Sequence, residues 1–359
     1  MHRRTRRERV ARRALRPGAK GLALLSIVPV VVATAVAGTI TAPWKTRPCA
    51  VEYSKGVRGG PLHLVLGPDG ELYATEALGD RILRFDPDTH KTAEFPLRKG
   101  TSPHDIVTGP DGNLWFTGLN DRLGKFDLKT HRVVFYPGIS RGSEPHDLIW
   151  TGGYIYIAEL RSGRLARFDP KSKKIREGSW GLPPGNQIHS IVAVPNGDIW
   201  ATLSNGNKLA RFNPKTNRFD KFVEMPIKDS GPRGIVYVRS QGALYFSLFA
   251  ANELGRYDLQ TGKVKLYPTT LKPLPIVVAN NLNARNEKVT FIATDAHERY
   301  LWASTLSGEL FRLDLRTNKV TKVYCGITFP AGTAALANDR KGRLWVNEAF
   351  PSRIARILP

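Results

Sequence analysis

Cysteine is nearly absent from this sequence: Cys49 and Cys325 are the only two in 359 residues. That excludes a multi-disulfide scaffold and a zinc site of the usual CxxC type. Acidic residues are scarce as well, 31 Asp and Glu against 54 Lys and Arg, giving a net charge of +23. An acidic disordered chain is therefore ruled out. There is no HExxH pair, and neither a GxSxG elbow nor a glycine-rich phosphate loop after a strand and before a helix is expected. Helical apolar periodicity is missing from the body of the chain, while 33 Gly and 25 Pro supply abundant turn punctuation. With 41% hydrophobic and 9% aromatic residues the chain still has enough apolar material for a core. An all-β protein is expected.

Residues 1–42 differ in kind from the rest. The first twenty carry Arg3, Arg4, Arg6, Arg7, Arg9, Arg12, Arg13, Arg16 and Lys20 against Glu8 alone, a net of +8. Gly21 to Ala42 then holds no charge, and 22 helical residues span roughly 33 Å, about one bilayer core. A basic flank before an apolar run predicts a cytoplasmic N-terminus with the remainder exported. Ala35-Val36-Ala37 offers a signal-peptidase site, so the segment reads either as a cleaved signal peptide or as a membrane anchor. The chain accordingly divides into this export segment, 1–42, and an exported body, 43–359, which is itself basic. Much of that charge recurs at one template position, Arg84, Lys125, Arg167, Arg211, Arg256 and Arg312. Nucleic acid is not expected as a partner, because no basic stripe interleaves with stacking aromatics.

Internal repetition organises the body. Leu72-Tyr73, Leu114-Trp115, Ile155-Tyr156, Ile199-Trp200, Leu244-Tyr245, Leu301-Trp302 and Leu344-Trp345 align, with the aromatic members 42, 41, 44, 45, 57 and 43 residues apart. Turns such as Gly67-Pro68-Asp69-Gly70 and Gly109-Pro110-Asp111-Gly112 precede the aromatic, and strands such as Arg84-Phe85-Asp86 follow it. Each unit reads as four short antiparallel strands, so seven units predict a seven-bladed β-propeller. The last unit stops after its third strand. Ala50-Val51-Glu52-Tyr53 resembles Thr92-Ala93-Glu94-Phe95 and is expected to complete that blade, closing the ring and removing a free edge. The extra length in the 57-residue interval predicts a loop around Thr269 to Lys288. Cys49 and Cys325 are expected at opposite edges of the propeller, which makes a disulfide between them doubtful.

The residue at the mouth of each innermost strand is compared blade by blade as Leu62, His104, His146, His189, Arg233, Val289 and Ala334. Three consecutive blades place imidazole at one station, so His104, His146 and His189 should converge on one end of the central channel. His63 aligns with Asp105 and is expected to point elsewhere. Glu144, two residues before His146, and Glu159, at the end of the next strand, add two acids at the same mouth. Such a set suits a hard divalent cation with a histidine left over as a base. Glu159 alone is weak, because Glu76 and Glu348 occupy the same template position and would pair with nearby arginines.

Ser102-Pro103-His104-Asp105-Ile106, Gly109-Pro110-Asp111-Gly112-Asn113-Leu114-Trp115-Phe116-Thr117 and Leu123-Gly124-Lys125-Phe126 together resemble the blade of the virginiamycin B lyase (streptogramin B lyase) family, over nearly all of residues 50–359. The resemblance implies that His104 contacts substrate, that His146 is the catalytic proton acceptor, and that Glu144 and Glu159 hold Mg2+; His189, which shares the station of His104 but stands where the family has an aromatic residue, is expected to contact substrate from its place at the mouth. The family carries its set near the C-terminus, whereas these residues fall in the second and third blades. The activity implied is opening of a cyclic depsipeptide or related ester by elimination, with the small cyclic ligand at the channel mouth and the protein a monomer. Two other readings stay open: a metal-dependent lactonase or esterase, and a non-catalytic exported propeller that binds peptide, glycan or envelope polymer.

Overall fold

The computed structural model describes residues 49–269, 288–323, 327 and 332–358. The export segment, Cys325 and the loop expected between Thr269 and Lys288 lie outside the described residues. Among the described residues no helix is long and apolar enough to cross a membrane.

Seven four-stranded antiparallel sheets account for the described strands. Their innermost strands are Pro61–Leu66, Pro103–Thr108, Pro145–Thr151, Ile188–Ala193, Pro232–Val238, Val289–Thr294 and Thr333–Asn338. In each blade the chain runs from the inside outward, and successive innermost strands pack side by side, the seventh against the first. The chain is thus a seven-bladed propeller around a central channel. The seventh blade takes its outermost strand from the N-terminal side: Ala50 lies opposite Ile357 and Tyr53 opposite Ile354. The ring closes as expected, with no sheet edge left between the two ends.

The repeat works because the turn and the aromatic support each other. The Trp115 indole donates to Asp111 Oδ1 at 3.1 Å, Tyr73 OH to Asp69 Oδ2 at 2.7 Å and the Trp345 indole to Asp339 Oδ2 at 2.8 Å. Each Pro-Asp-Gly turn, or its Asp-Arg-Lys-Gly equivalent, is therefore tied to the strand that follows it. The recurrent cation completes the unit: Lys125 Nζ sits 2.7 Å from Asp111 and 5.6 Å from the Trp115 ring centroid. Much of the basic charge is held in this way around the ring. Core clusters lie between blades, as where Trp115 and Leu123 of the second blade meet Leu148, Ile157 and Phe168 of the third. Gly124 is required at its place, since a Cβ there would come within 2.1 Å of the Phe116 ring.

One expectation is corrected. Cys49 is disulfide-bonded. It packs in one cluster with Val323 and Ile327, because the outermost strands of adjacent blades bring their ends together at this edge. Separation between blades does not keep that edge apart from Cys49.

Candidate functional site

The loop that leads into the third blade's innermost strand is held by the second blade: Asp121 Oδ1 accepts from the Ser143 and Glu144 amides at 2.9 and 3.3 Å. Glu144 has φ of 58°, at a position where other blades have Gly60, Ser102, Gly231 and Gly332, all with positive φ. Left-handed backbone costs a residue with a Cβ about 1–2 kcal/mol, and such strain concentrates at functional positions. Pro145 then starts the strand and His146 follows it to the channel.

His104, His146 and His189 do converge at that mouth. Ring centroids are 3.9 Å apart for His104 and His146 and 4.3 Å for His146 and His189. His104 Nδ1 lies 2.7 Å from the carbonyl of His146, and His146 Nδ1 lies 2.9 Å from the carbonyl of His189. A carbonyl only accepts, so each Nδ1 carries the proton and each Nε2 is left with its lone pair. In most blades a hydroxyl from the preceding blade reaches this carbonyl: Thr75 to His104, Thr117 to His146, Thr202 to Arg233, Ser247 to Thr290 and Ser304 to Ala334. The third blade has Ala158 there, and the His146 ring replaces the missing hydroxyl. The same ladder corrects the sixth blade: Thr290, not Val289, holds the station, because Val289 pairs with Thr305 as Pro103 pairs with Gly118, and the station residue comes next. Burial, with the His63 ring next, pushes His104 down to about 3. Burial and neighbouring imidazoles hold His146 well below the usual range, and burial with Arg233 does so for His189. All three rings are neutral at pH 7.

His63 belongs to the site, contrary to expectation. Its ring lies 4.8 Å from that of His104, and its Nδ1 donates to Asp105 Oδ1 at 2.7 Å. The bulge at the start of the first blade's innermost strand turns it inward. Asp105 Oδ2 accepts from the Leu148 amide at 3.0 Å, and Asp147 Oδ2 from the Ile191 amide at 2.9 Å, so each aspartate clamps the next blade. Burial opposes charge on Asp105, but His63 and the Leu148 amide outweigh it and hold its carboxyl below the usual range. Burial and the adjacent Asp105 charge push Asp147 well up. The sequence signal was the tripeptide Pro-His-Asp, present at Pro103-His104-Asp105 and again at Pro145-His146-Asp147.

Glu144 and Glu159 face different partners. Glu144 Oε2 accepts from Arg161 Nε and Nη2 at 3.0 and 2.9 Å. Glu159 is fully buried, accepts from Ser162 Oγ at 2.6 Å and is pushed up to about 8 by burial and by a hydrogen bond with Glu177. This grouping is repeated: Glu76 with Glu94 and Arg81, Glu159 with Glu177 and Arg164, Glu348 with Glu52 and Arg353. The arginines pair with the outermost glutamate of each set, not with Glu76 or Glu348. Glu159 therefore repeats an arrangement found in the first and seventh blades as well, and among the described residues no three His, Cys, Asp or Glu side chains are placed to hold a metal ion. As arranged, this donor set does not fit a magnesium ion.

Two further features stand apart from the mouth. Gly138-Ile139-Ser140-Arg141-Gly142 spells GxSxG, but it lies in a loop ahead of a strand, and Ser140 donates its amide and hydroxyl to Glu177. A cleft of about 440 Å³ at the opposite end of the propeller is lined by Trp200, Arg211, Lys221, Tyr237 and Asp258.

No family model and no curated protein matches the chain. Among solved structures it is similar to virginiamycin B lyase from Staphylococcus aureus, with a TM-score of 0.73 and 21% identity over 86% of this chain and 98% of that one. A catalytically inactive variant of that lyase with quinupristin gives the same values. Hydrazine synthase from Kuenenia stuttgartiensis is similar over 89% of this chain and 98% of its own, with a TM-score of 0.68 and 15% identity. At these identities the likeness is one of fold.

Proposed function

We propose that this chain is an exported carbon–oxygen lyase that opens a cyclic depsipeptide or a related ester by elimination, with His146 as the base. The observation that carries this reading is the fixed tautomer of His146: Nδ1–H is bound to the His189 carbonyl, so Nε2 is a neutral acceptor at the channel mouth. In the step proposed, Nε2 takes a proton from the carbon next to a carbonyl, the C–H pair becomes a C=C bond, and the ester C–O bond breaks to release a carboxylate. His104 and His189 flank the base and orient the substrate. Magnesium enters this reading only through the family resemblance, and no step is assigned to it. Export rests on the basic and apolar character of residues 1–42.

Mass spectrometry of quinupristin incubated with the purified chain tests this reading, with magnesium in one arm and EDTA in the other. A linear product of unchanged mass supports elimination, and a gain of one water moves the protein to the hydrolases. No product in either arm favours the binding-propeller reading, for which the Arg161 pairing of Glu144 already speaks.

A further inference from the structure

Away from the imidazoles, the channel mouth is cationic. Arg233 occupies the His146 station in the fifth blade, and Lys288 directly precedes the innermost strand of the sixth. The Arg233 guanidinium carbon lies 3.4 Å from the centroid of the Phe249 ring, and Lys288 Nζ lies 4.8 Å from the same centroid. Lys288 is 0% exposed and its Nζ has no hydrogen-bond partner. No carboxylate among the described residues offsets either cation. Burial alone brings Arg233 down to about 10, and burial with Arg233 lowers Lys288.

A buried ammonium without a counter-charge is an expensive arrangement for a fold to keep. Elsewhere this propeller pairs half-buried cations with acids, as in Lys125 with Asp111, Arg353 with Glu52 and Lys322 with Glu309. Phe249 holds the two cations by its ring face without neutralising them. We propose that Arg233 and Lys288 form a binding site for an oxyanion, the carboxylate or phosphate group of a small molecule, on the fifth- and sixth-blade side of the mouth. The Arg233 fork suits two oxygens of such a group, and the Lys288 ammonium supplies a point charge. Neutral imidazoles on the other side leave the net attraction to these two residues. This assignment holds whether or not His146 acts as a base, because it concerns binding in the absence of turnover.

Calorimetric titration of the full chain with sodium acetate and, separately, with inorganic phosphate tests it, at ionic strength held constant with chloride. Saturable binding of at least one anion is expected, together with a rise in Tm. Arg233→Gln and Lys288→Met should each weaken that binding at least tenfold. Lys288→Met should also raise Tm in chloride alone, since it removes an unpaired buried charge at similar volume, and should abolish the rise produced by the anion. Binding of acetate alone assigns a carboxylate ligand, and binding of phosphate alone assigns a phosphate ester. No saturable binding of either anion overturns the site, as does a Lys288→Met protein that binds like wild type or fails to fold. Should Arg233→Gln not fold, the Lys288→Met result decides.

Discussion

His146 donates its Nδ1 proton to the carbonyl of His189 at 2.9 Å, at the place where five other blade junctions use a Thr or Ser hydroxyl. One ring thereby serves two ends: Nδ1 joins the third blade to the fourth, and Nε2 is left for chemistry. The two roles separate by mutation. His146→Asn places an amide N–H near the position of Nδ1 and removes Nε2, so turnover of quinupristin should fall roughly 100- to 10,000-fold with Tm close to wild type. His146→Ala should lose the same turnover and about 1 kcal/mol of stability as well. Adding Ala158→Ser to His146→Ala restores the hydroxyl used at other junctions. Tm should recover while turnover does not, and recovery of turnover would count against His146 as the base.

The aspartate pair in the channel makes an asymmetric prediction. Burial and the charge on Asp105 push the Asp147 carboxyl well up, whereas His63 and the Leu148 amide hold that of Asp105 below the usual range. Asparagine resembles a protonated carboxyl, so Asp147→Asn should change stability by no more than about 1 kcal/mol. Asp105→Asn removes the charged acceptor of three bonds, from His63 and the Ile106 and Leu148 amides, and should cost about 2–3 kcal/mol. Denaturant unfolding of the two variants checks the order, and equal costs would mean that the charge is not localised on Asp105.

Stability should depend on pH in two windows. Glu159 and Glu348 are pushed up to about 8, first by burial and then by Glu177 and Glu52, from an ordinary value of 4.5. The folded chain therefore holds more protons than the unfolded chain between those values, and stability falls as pH rises through them. His104, His146 and His189 have depressed values, so the folded chain binds fewer protons below 6.5 and stability falls as pH drops from there. Between pH 6.5 and 8 only the glutamates act among these groups. Tm should decline across that interval in wild type, and the double variant Glu159→Gln with Glu348→Gln should flatten the decline and, since the glutamates act down to 4.5, steepen the loss of stability between pH 6.5 and 4.5. Differential scanning calorimetry at several pH values makes the comparison.

The fold was legible because the blades repeat one pattern of tight turn, aromatic and alternating strands, and in three of them the turn's aspartate binds the aromatic four or six residues on. Ring closure by Ala50–Tyr53 was legible for the same reason, since the missing fourth strand had a recognisable copy at the other end. The convergence of His104, His146 and His189 followed from their common register. His63 was misplaced because a bulge at the start of the innermost strand shifts which residues face inward, and bulges leave no fixed mark in an alternating pattern; in the sixth blade the station falls one residue past Val289, at Thr290. Template position also could not tell a shared structural device from a ligand. Glu159 stands at the right place in the third blade, but its environment is that of Glu76 and Glu348. The disulfide of Cys49 was missed because contacts between outermost strands of adjacent blades depend on the ring's geometry and not on its period.

Glu144 is where the family resemblance and the geometry part, and Arg161 is the residue that separates them. The resemblance assigns Glu144 to magnesium, yet its Oε2 accepts two bonds from the Arg161 guanidinium, a fork geometry well matched to a carboxylate. A hydrated cation would have to displace this pair, and Glu159 would have to leave Glu177 and lose a proton to serve as second ligand. The expected outcome is that wild-type turnover is the same in magnesium and in EDTA. Arg161→Ala removes the competing guanidinium, so any response to magnesium should emerge in that variant and disappear again with Glu144→Gln. Calorimetric titration with magnesium chloride reads the same difference without a substrate: no binding heat in wild type, and weak binding in Arg161→Ala. Wild-type turnover that stops in EDTA would show that Arg161 yields its carboxylate to the ion, and would return Glu144 to the role the resemblance implies.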